Sequence, residues 1–217
     1  MSLYLDFKKN LEDAIADADR NINDVELIAV SKKKSVQEIQ KVIDCNHSSF
    51  GENQIQEIEN KWINLKEKNK QVKLNFIGNI QSRKVVSIFD NCDVIHSLDR
   101  MKIVKLFEDL EQSSGIKKSY FIQINTGNEE QKSGVFISEA KKFLTNCLEN
   151  YNLNIIGLMC LPPIDENPET HFLKLRELAE NFGLPMLSMG MSSDYKIAIK
   201  CGATHIRIGT QIFGKRS

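Results

Sequence analysis

The chain is short of the features that most specialised chemistries require. Its five cysteines (Cys45, Cys92, Cys147, Cys160, Cys201) are an odd number, widely spaced, with no C-x-x-C pair. That argues against a disulfide framework or a thiolate zinc site and for free thiols in a reducing, cytoplasmic compartment. The four histidines are scattered as well, no two at i, i+4 spacing, so no metal site is expected. No apolar run approaches the roughly 18 residues that span a bilayer. The opening segment carries Asp6, Lys8 and Lys9 where a signal peptide would be apolar. Asn46-His47-Ser48 fits a glycosylation sequon, but without such a signal it reads as coincidence. Charge of one sign is missing too: 29 basic residues face 29 acidic ones, a formal net charge of 0. Nucleic acid and anionic membrane therefore lose their electrostatic case, and a small ligand is the expected partner. The four prolines and eleven glycines are dispersed, leaving no linker. Residues 1–217 read as one domain, able to bury its core without staples, and a monomer is expected.

What the sequence does have is a steady alternation of short apolar runs with longer amphipathic ones. Phe7, Leu11, Ala14, Ile15 and Ala18 mark one face of an opening helix. Residues 27–30 then form a compact apolar run, as buried parallel strands do. Ser35-Val-Gln-Glu38 is a capping box ahead of Ile39, Val42 and Ile43 at helical spacing. Further strands are expected at 49–51, 74–77, 94–96, 120–124, 155–159, 186–188 and 205–208, with helical segments between them, among them 101–110, 138–148 and 168–182. Eight strands separated by helices imply a single (β/α)8 TIM barrel with an extra N-terminal helix. An open doubly wound sheet is the alternative.

In a barrel the chemistry sits at the C-terminal ends of the strands. Lys32 closes the first strand on the face of Ile28 and Val30. An amine beside apolar neighbours loses solvation, which favours the neutral form that attacks a carbonyl. A surface lysine is the alternative, and Lys33 and Lys34 read that way. Near the end of the chain, Gly209 and Thr210 offer backbone N–H groups and a hydroxyl to a phosphate. Gly209 through Lys215 also fits the first part of a nucleotide P-loop, but Arg216 stands where Ser or Thr must hold magnesium, so ATP and GTP are rejected. Ser192 or Ser193 serves either a helix N-cap or an anion. Arg207, between two isoleucines, needs an acceptor: a carboxylate partner, or a ligand's ring nitrogen or phosphate. A lysine, a phosphate cradle and an inward arginine together suit pyridoxal phosphate.

Ala29-Val-Ser-Lys32, Phe50-Gly-Glu-Asn53, Phe76-Ile-Gly78 with Gln81, Ser97-Leu-Asp-Arg100, Lys132-Ser-Gly134, Gly157-Leu-Met159, Leu187-Ser-Met-Gly-Met-Ser192, Ile206-Arg-Ile-Gly-Thr210 and Ile212-Phe-Gly214 resemble, in order along nearly all of the chain, the pyridoxal phosphate homeostasis protein family. That resemblance implies a barrel similar to the N-terminal domain of alanine racemase, with pyridoxal 5'-phosphate held as an aldimine. Carried over residue by residue, Lys32 looks like the aldimine lysine, Ser192, Gly209 and Thr210 like phosphate contacts, Arg207 like the partner of the pyridine nitrogen, and Asn53 like a pocket residue. Two departures stand out: Asn75 where the family usually has His, and Arg83 where it usually has Asn. Both are expected to touch partner or substrate surfaces and not cofactor binding.

The function implied is a carrier or buffer of the cofactor that maintains vitamin B6 homeostasis without significant catalysis, with apo-enzymes as the recipients. A racemase-like enzyme on the same cofactor is the alternative. Racemisation needs acid/base groups on both faces of the substrate, and the resembled racemases draw one from a second domain for which this chain is expected to have no room. An arginine at the pyridine nitrogen also leaves the ring a poorer electron sink, because Arg keeps its own charge.

Overall fold

Parallel pairing runs from strand to strand until the sheet meets itself. In the computed structural model, which describes residues 2–214, the strands are β1 (Glu26–Val30), β2 (Ser49–Glu52), β3 (Lys73–Phe76), β4 (Val94–Leu98), β5 (Ser119–Asn125), β6 (Val135–Phe136), β7 (Asn154–Cys160), β8 (Met186–Ser188) and β9 (His205–Ile208). They form one sheet in the order β4-β3-β2-β1-β9-β8-β7-β5-β6, and β4 also pairs with β5. Eight strands therefore close into a barrel, which excludes the open sheet. The two-residue β6 lies outside the ring, paired to the end of β5 through Ile124 and Val135. It is too short to leave a periodic signal in the sequence.

Each strand buries two different faces. Ala29, Phe50, Leu74, Ile95, Ile122, Leu158, Ile206 and Ile208 belong to one large apolar cluster with helix residues such as Ile39, Phe107, Leu144 and Phe172. The inward positions are another matter. Val94, Phe121 and Met159 make a small separate apolar cluster, while Asn75, His96, Ser188 and Arg207 are polar and buried. Barrel interiors are usually filled by branched apolar residues, so this interior is unusual.

The helices start and stop where local chemistry tells them to. Ser35 caps the helix Val36–Ile43 through a reciprocal box with Glu38. Met101–Ser114 ends on Gly115 at φ 71°, a left-handed C-cap. Pro168 occupies the first turn of Pro168–Asn181, capped by Asn167. The opening helix, Ser2–Ala16, sets Phe7 against Tyr195 with ring centroids 5.3 Å apart. Neither Ser192 nor Ser193 caps the helix Tyr195–Lys200: its N-cap is Asp194, whose carboxylate accepts the Met191 N–H at 2.6 Å. Lys215 and Arg216 of the P-loop comparison lie outside the described residues. All five cysteines are free and four are buried. Among the described residues no cluster of His, Cys, Asp or Glu could hold a metal, and no helix is long and apolar enough to cross a membrane.

Candidate functional site

The C-terminal ends of the strands surround a cavity of about 570 Å³. Lys32, Asn53, Ser192, Arg207, Gly209 and Thr210, which lie up to 178 positions apart (210 − 32), all line it. So do Gln123, Lys132 and Ser133, which the reading of individual residues passed over. Lys132 had a signal, since Lys132-Ser-Gly134 is one of the motifs carrying the resemblance. Gln123 had none beyond its inward place on β5.

Lys32 sits one step further along than strand alternation implies. β1 ends at Val30, and Ser31 to Lys34 form a turn closed by the Lys34 N–H donating to the Ser31 carbonyl at 3.0 Å. Lys33 takes φ 60° in that turn, a left-handed conformation that costs a non-glycine residue about 1 kcal/mol. Its N–H is held by Glu57 Oε2 at 2.6 Å. Lys61 Nζ lies 3.1 Å from the Ser31 carbonyl and 3.3 Å from that of Lys34, so it spans both ends of the turn. The same ammonium meets Glu52 Oε1 at 2.9 Å and Glu57 Oε2 at 2.7 Å. Glu52, with no exposed surface, also accepts from Ser31 Oγ at 2.7 Å and Trp62 Nε1 at 3.1 Å. A π-helical turn, Ile58–Trp62, brings Lys61 and Trp62 onto Glu52; such turns recur at functional sites. The half-buried Lys32 is thus carried on a turn pinned from three directions.

Arg207 is 4% exposed. Its Nη1 donates to Ser188 Oγ at 2.6 Å and its Nη2 to the Cys160 carbonyl at 2.9 Å. No carboxylate pairs with it among the described residues, so the ion-pair alternative fails. Burial pulls its pKa down to about 10, and the guanidinium stays charged at neutral pH. Two glycines shape the walls. A Cβ on Gly78 would fall 2.0 Å from the Asn53 carbonyl oxygen, and one on Gly209 would fall 3.3 Å from that of Val30. Any side chain at Gly78 would push Asn53 out of the cavity's edge. Asn53 Oδ1 is itself buried without a hydrogen-bond partner among the described residues, which leaves an unmet polar position in a residue at the cavity's edge. The lip is open: Met191, Ser193 and Thr210 line it and are exposed.

The two departures from the family pattern separate in space. Asn75 is buried inside the barrel, contrary to the expectation that it touches a partner surface. Arg83 is exposed and lines a second hollow of about 350 Å³ with Gln81 and Lys84.

Comparison with known proteins gives a consistent set of relatives. The family described as alanine racemase, N-terminal domain, matches residues 7–217. The pyridoxal phosphate homeostasis protein of Aquifex aeolicus is 36% identical over 217 residues, covering 96% of this chain and 94% of the relative. Its counterpart in Haemophilus influenzae is 35% identical over 221 residues, covering 97% and 93%. Among solved structures, PipY of Synechococcus elongatus with pyridoxal phosphate bound has a TM-score of 0.79 and 27% identity, covering 92% of this chain and 100% of PipY.

Proposed function

The chain belongs to the alanine racemase N-terminal-domain family, among its pyridoxal phosphate homeostasis proteins, and we propose that residues 1–217 form one domain that binds pyridoxal 5'-phosphate and carries or buffers it to maintain vitamin B6 homeostasis. The observation that carries this reading is the meeting of one lysine, one buried arginine and a hydroxyl-and-glycine corner in a single cavity. The donor set matches the cofactor's three handles. The Lys32 amine binds the aldehyde. Ser192 and Thr210 hydroxyls, with the backbone at Gly209, take the phosphate. Arg207 faces the pyridine nitrogen, and Asn53 fills its unmet hydrogen bond at the edge. When bound, the cofactor supplies an electrophilic carbon and a conjugated ring.

The protein's own residues limit the chemistry of that ring. Arg207 can donate a hydrogen bond to the pyridine nitrogen but keeps its proton and its charge, so the ring nitrogen stays unprotonated. The open lip lets water in, a defect for carbanion chemistry but an advantage for a molecule that must release its ligand. We therefore assign it no significant racemase activity, and take apo-enzymes as recipients and a cytoplasmic monomer as the working form. The free, buried thiols fit that reducing compartment.

The test is to add pyridoxal phosphate, reduce with borohydride and map the modified peptide. Modification at Lys32 is expected. An adduct on Lys33, Lys34 or Lys132 removes the assignment. Incubation with L-amino acids in deuterated water should show α-carbon exchange far slower than about 1 per second, a rate typical of enzymes.

A further inference from the structure

Arg207 is a buried cation with no carboxylate in hydrogen-bond contact among the described residues, yet its hydrogen bonds lead to one. Nη1 donates to Ser188 Oγ at 2.6 Å. Ser188 Oγ lies 2.9 Å from His96 Nδ1, and His96 Nε2 lies 3.0 Å from Asn75 Oδ1. Asn75 Nδ2 donates to Ser49 Oγ and to the Phe50 carbonyl, both at 3.0 Å. Ser49 Oγ donates to Glu26 Oε1 at 2.6 Å. Ser188, His96 and Asn75 are fully buried, and Ser49 is 7% exposed.

The direction of every link follows from donor chemistry. The guanidinium can only donate, and an ionised carboxylate can only accept. The Phe50 carbonyl can only accept, so the Asn75 amide nitrogen must face it, and Oδ1 must face His96. His96 Nε2 then carries the hydrogen, and Nδ1 accepts from Ser188. Each acceptor atom faces Arg207 and each donor faces Glu26. Links aligned in this way polarise one another. Burial, reinforced by the charges of Arg207 and Lys73, keeps His96 neutral, as the chain requires. Burial opposes ionisation of Glu26, but the Ser49 hydrogen bond, with the Lys73 ammonium 3.5 Å from Oε2, outweighs it and holds the carboxylate ionised.

We infer that Glu26 is a positioning residue for the cofactor cavity: it is the remote counter-charge of Arg207, acting through Ser188, His96, Asn75 and Ser49. β1 runs from Glu26 to Val30, so Glu26 stands at the opposite end of the barrel from the cavity. Asp194 also bears on Arg207 electrostatically, but no hydrogen bond joins them among the described residues. Where the inference concerns cofactor affinity it rests on the role proposed for Arg207 at the pyridine nitrogen; the hydrogen-bond chain itself does not.

The test has two arms. Nitrogen-15 NMR of the cofactor-free parent should find His96 neutral with its hydrogen on Nε2, and Glu26→Gln should shift those signals. Titration with pyridoxal phosphate should show Glu26→Gln weakening binding on the order of five- to tenfold, a typical inter-site coupling. In a Ser188→Ala background, where the chain is cut next to Arg207, the same change should matter less than about twofold. Ser49→Ala cuts the chain at its far end and replaces Glu26→Gln if that variant does not fold. A hydrogen on Nδ1, unchanged affinity in Glu26→Gln, or an equal loss in both backgrounds overturns the inference. If the parent forms no Lys32 adduct, the cofactor role fails while the His96 signals still decide the chain.

Discussion

The two faces of the barrel wall do different work. Outside, Phe50, Leu74, Ile122 and Leu158 join a single apolar layer under the helices. Inside, polar side chains pass hydrogen bonds from one strand to the next, beside a small apolar plug of Val94, Phe121 and Met159. Apolar burial is cheap to satisfy and indifferent to orientation, so the outer layer supplies stability. Buried polar groups cost energy unless each finds its partner, so the inner layer adds little stability and much orientation. The molecule separates holding together from holding a ligand.

The sharpest break of that comparison is Lys32→Ala. The covalent adduct should vanish while the melting temperature of the cofactor-free protein stays put, because Lys32 lies on a turn beyond β1 and outside both layers. A large drop in melting temperature would mean the cavity also stabilises the fold. The converse change is Phe107→Ala, which removes a fully buried ring packed 5.3 Å from Tyr120 on the outer face. It should cost roughly 3–5 kcal/mol in denaturant unfolding, with the folded fraction still forming the Lys32 adduct. Ser192→Ala and Thr210→Ala should each weaken cofactor retention by roughly 1.5–3 kcal/mol, as lost bonds to a charged group do. Faster cofactor release on dialysis is the readout, and unchanged release in the double variant would take the phosphate away from that corner.

The smallest effect sharpens the contrast by pH. Burial first, then the charges of Lys73 and Arg207, push His205 down to about 4 despite Glu26. Its folded pKa lies below the unfolded value near 6.5, so the unfolded chain takes up the proton first as pH falls. Stability is therefore full above about pH 6.5 and declines as pH drops towards 4, by about 1 kcal/mol at pH 5.5. His96, neutral for the same reason, adds in the same direction. Urea unfolding at pH 7.5 and 5.5 measures the loss, and equal stability at both would show the inner layer accepting protons freely.

The outer face was legible in the sequence because burial there leaves a pattern. The runs at 186–188 and 205–208 match β8 and β9, and Ser35 with Glu38 announces its helix through residues three apart. Lys32, Arg207 and Thr210 were legible as candidates because each breaks an apolar context or comes just after a strand. What could not be read is pairing across the barrel. Ser188 and His96 are 92 positions apart, and neither carries a mark that names the other. Lys61 belongs to no motif in the sequence; the π-helical turn is what sets it beneath the Lys32 turn. Asn75 was misplaced for the same reason, since its inward register is set by β3 pairing with β2.

The closure of β1 on β9 has a consequence in time. Leu27 pairs with Ile206 and Ala29 with Ile208, so the two limbs of the cavity are made far apart in synthesis. A ribosome adding about 5–20 residues per second emits Thr210 roughly 10–35 seconds after Lys32. Until β9 arrives, the lysine turn has no opposing corner. A cofactor molecule that reacted with the early amine would be held by one bond and exchange freely with the pool. On the proposed assignment, retention begins only when β9 seats beside β1, so a new copy draws on free cofactor as a folded barrel and not during its synthesis.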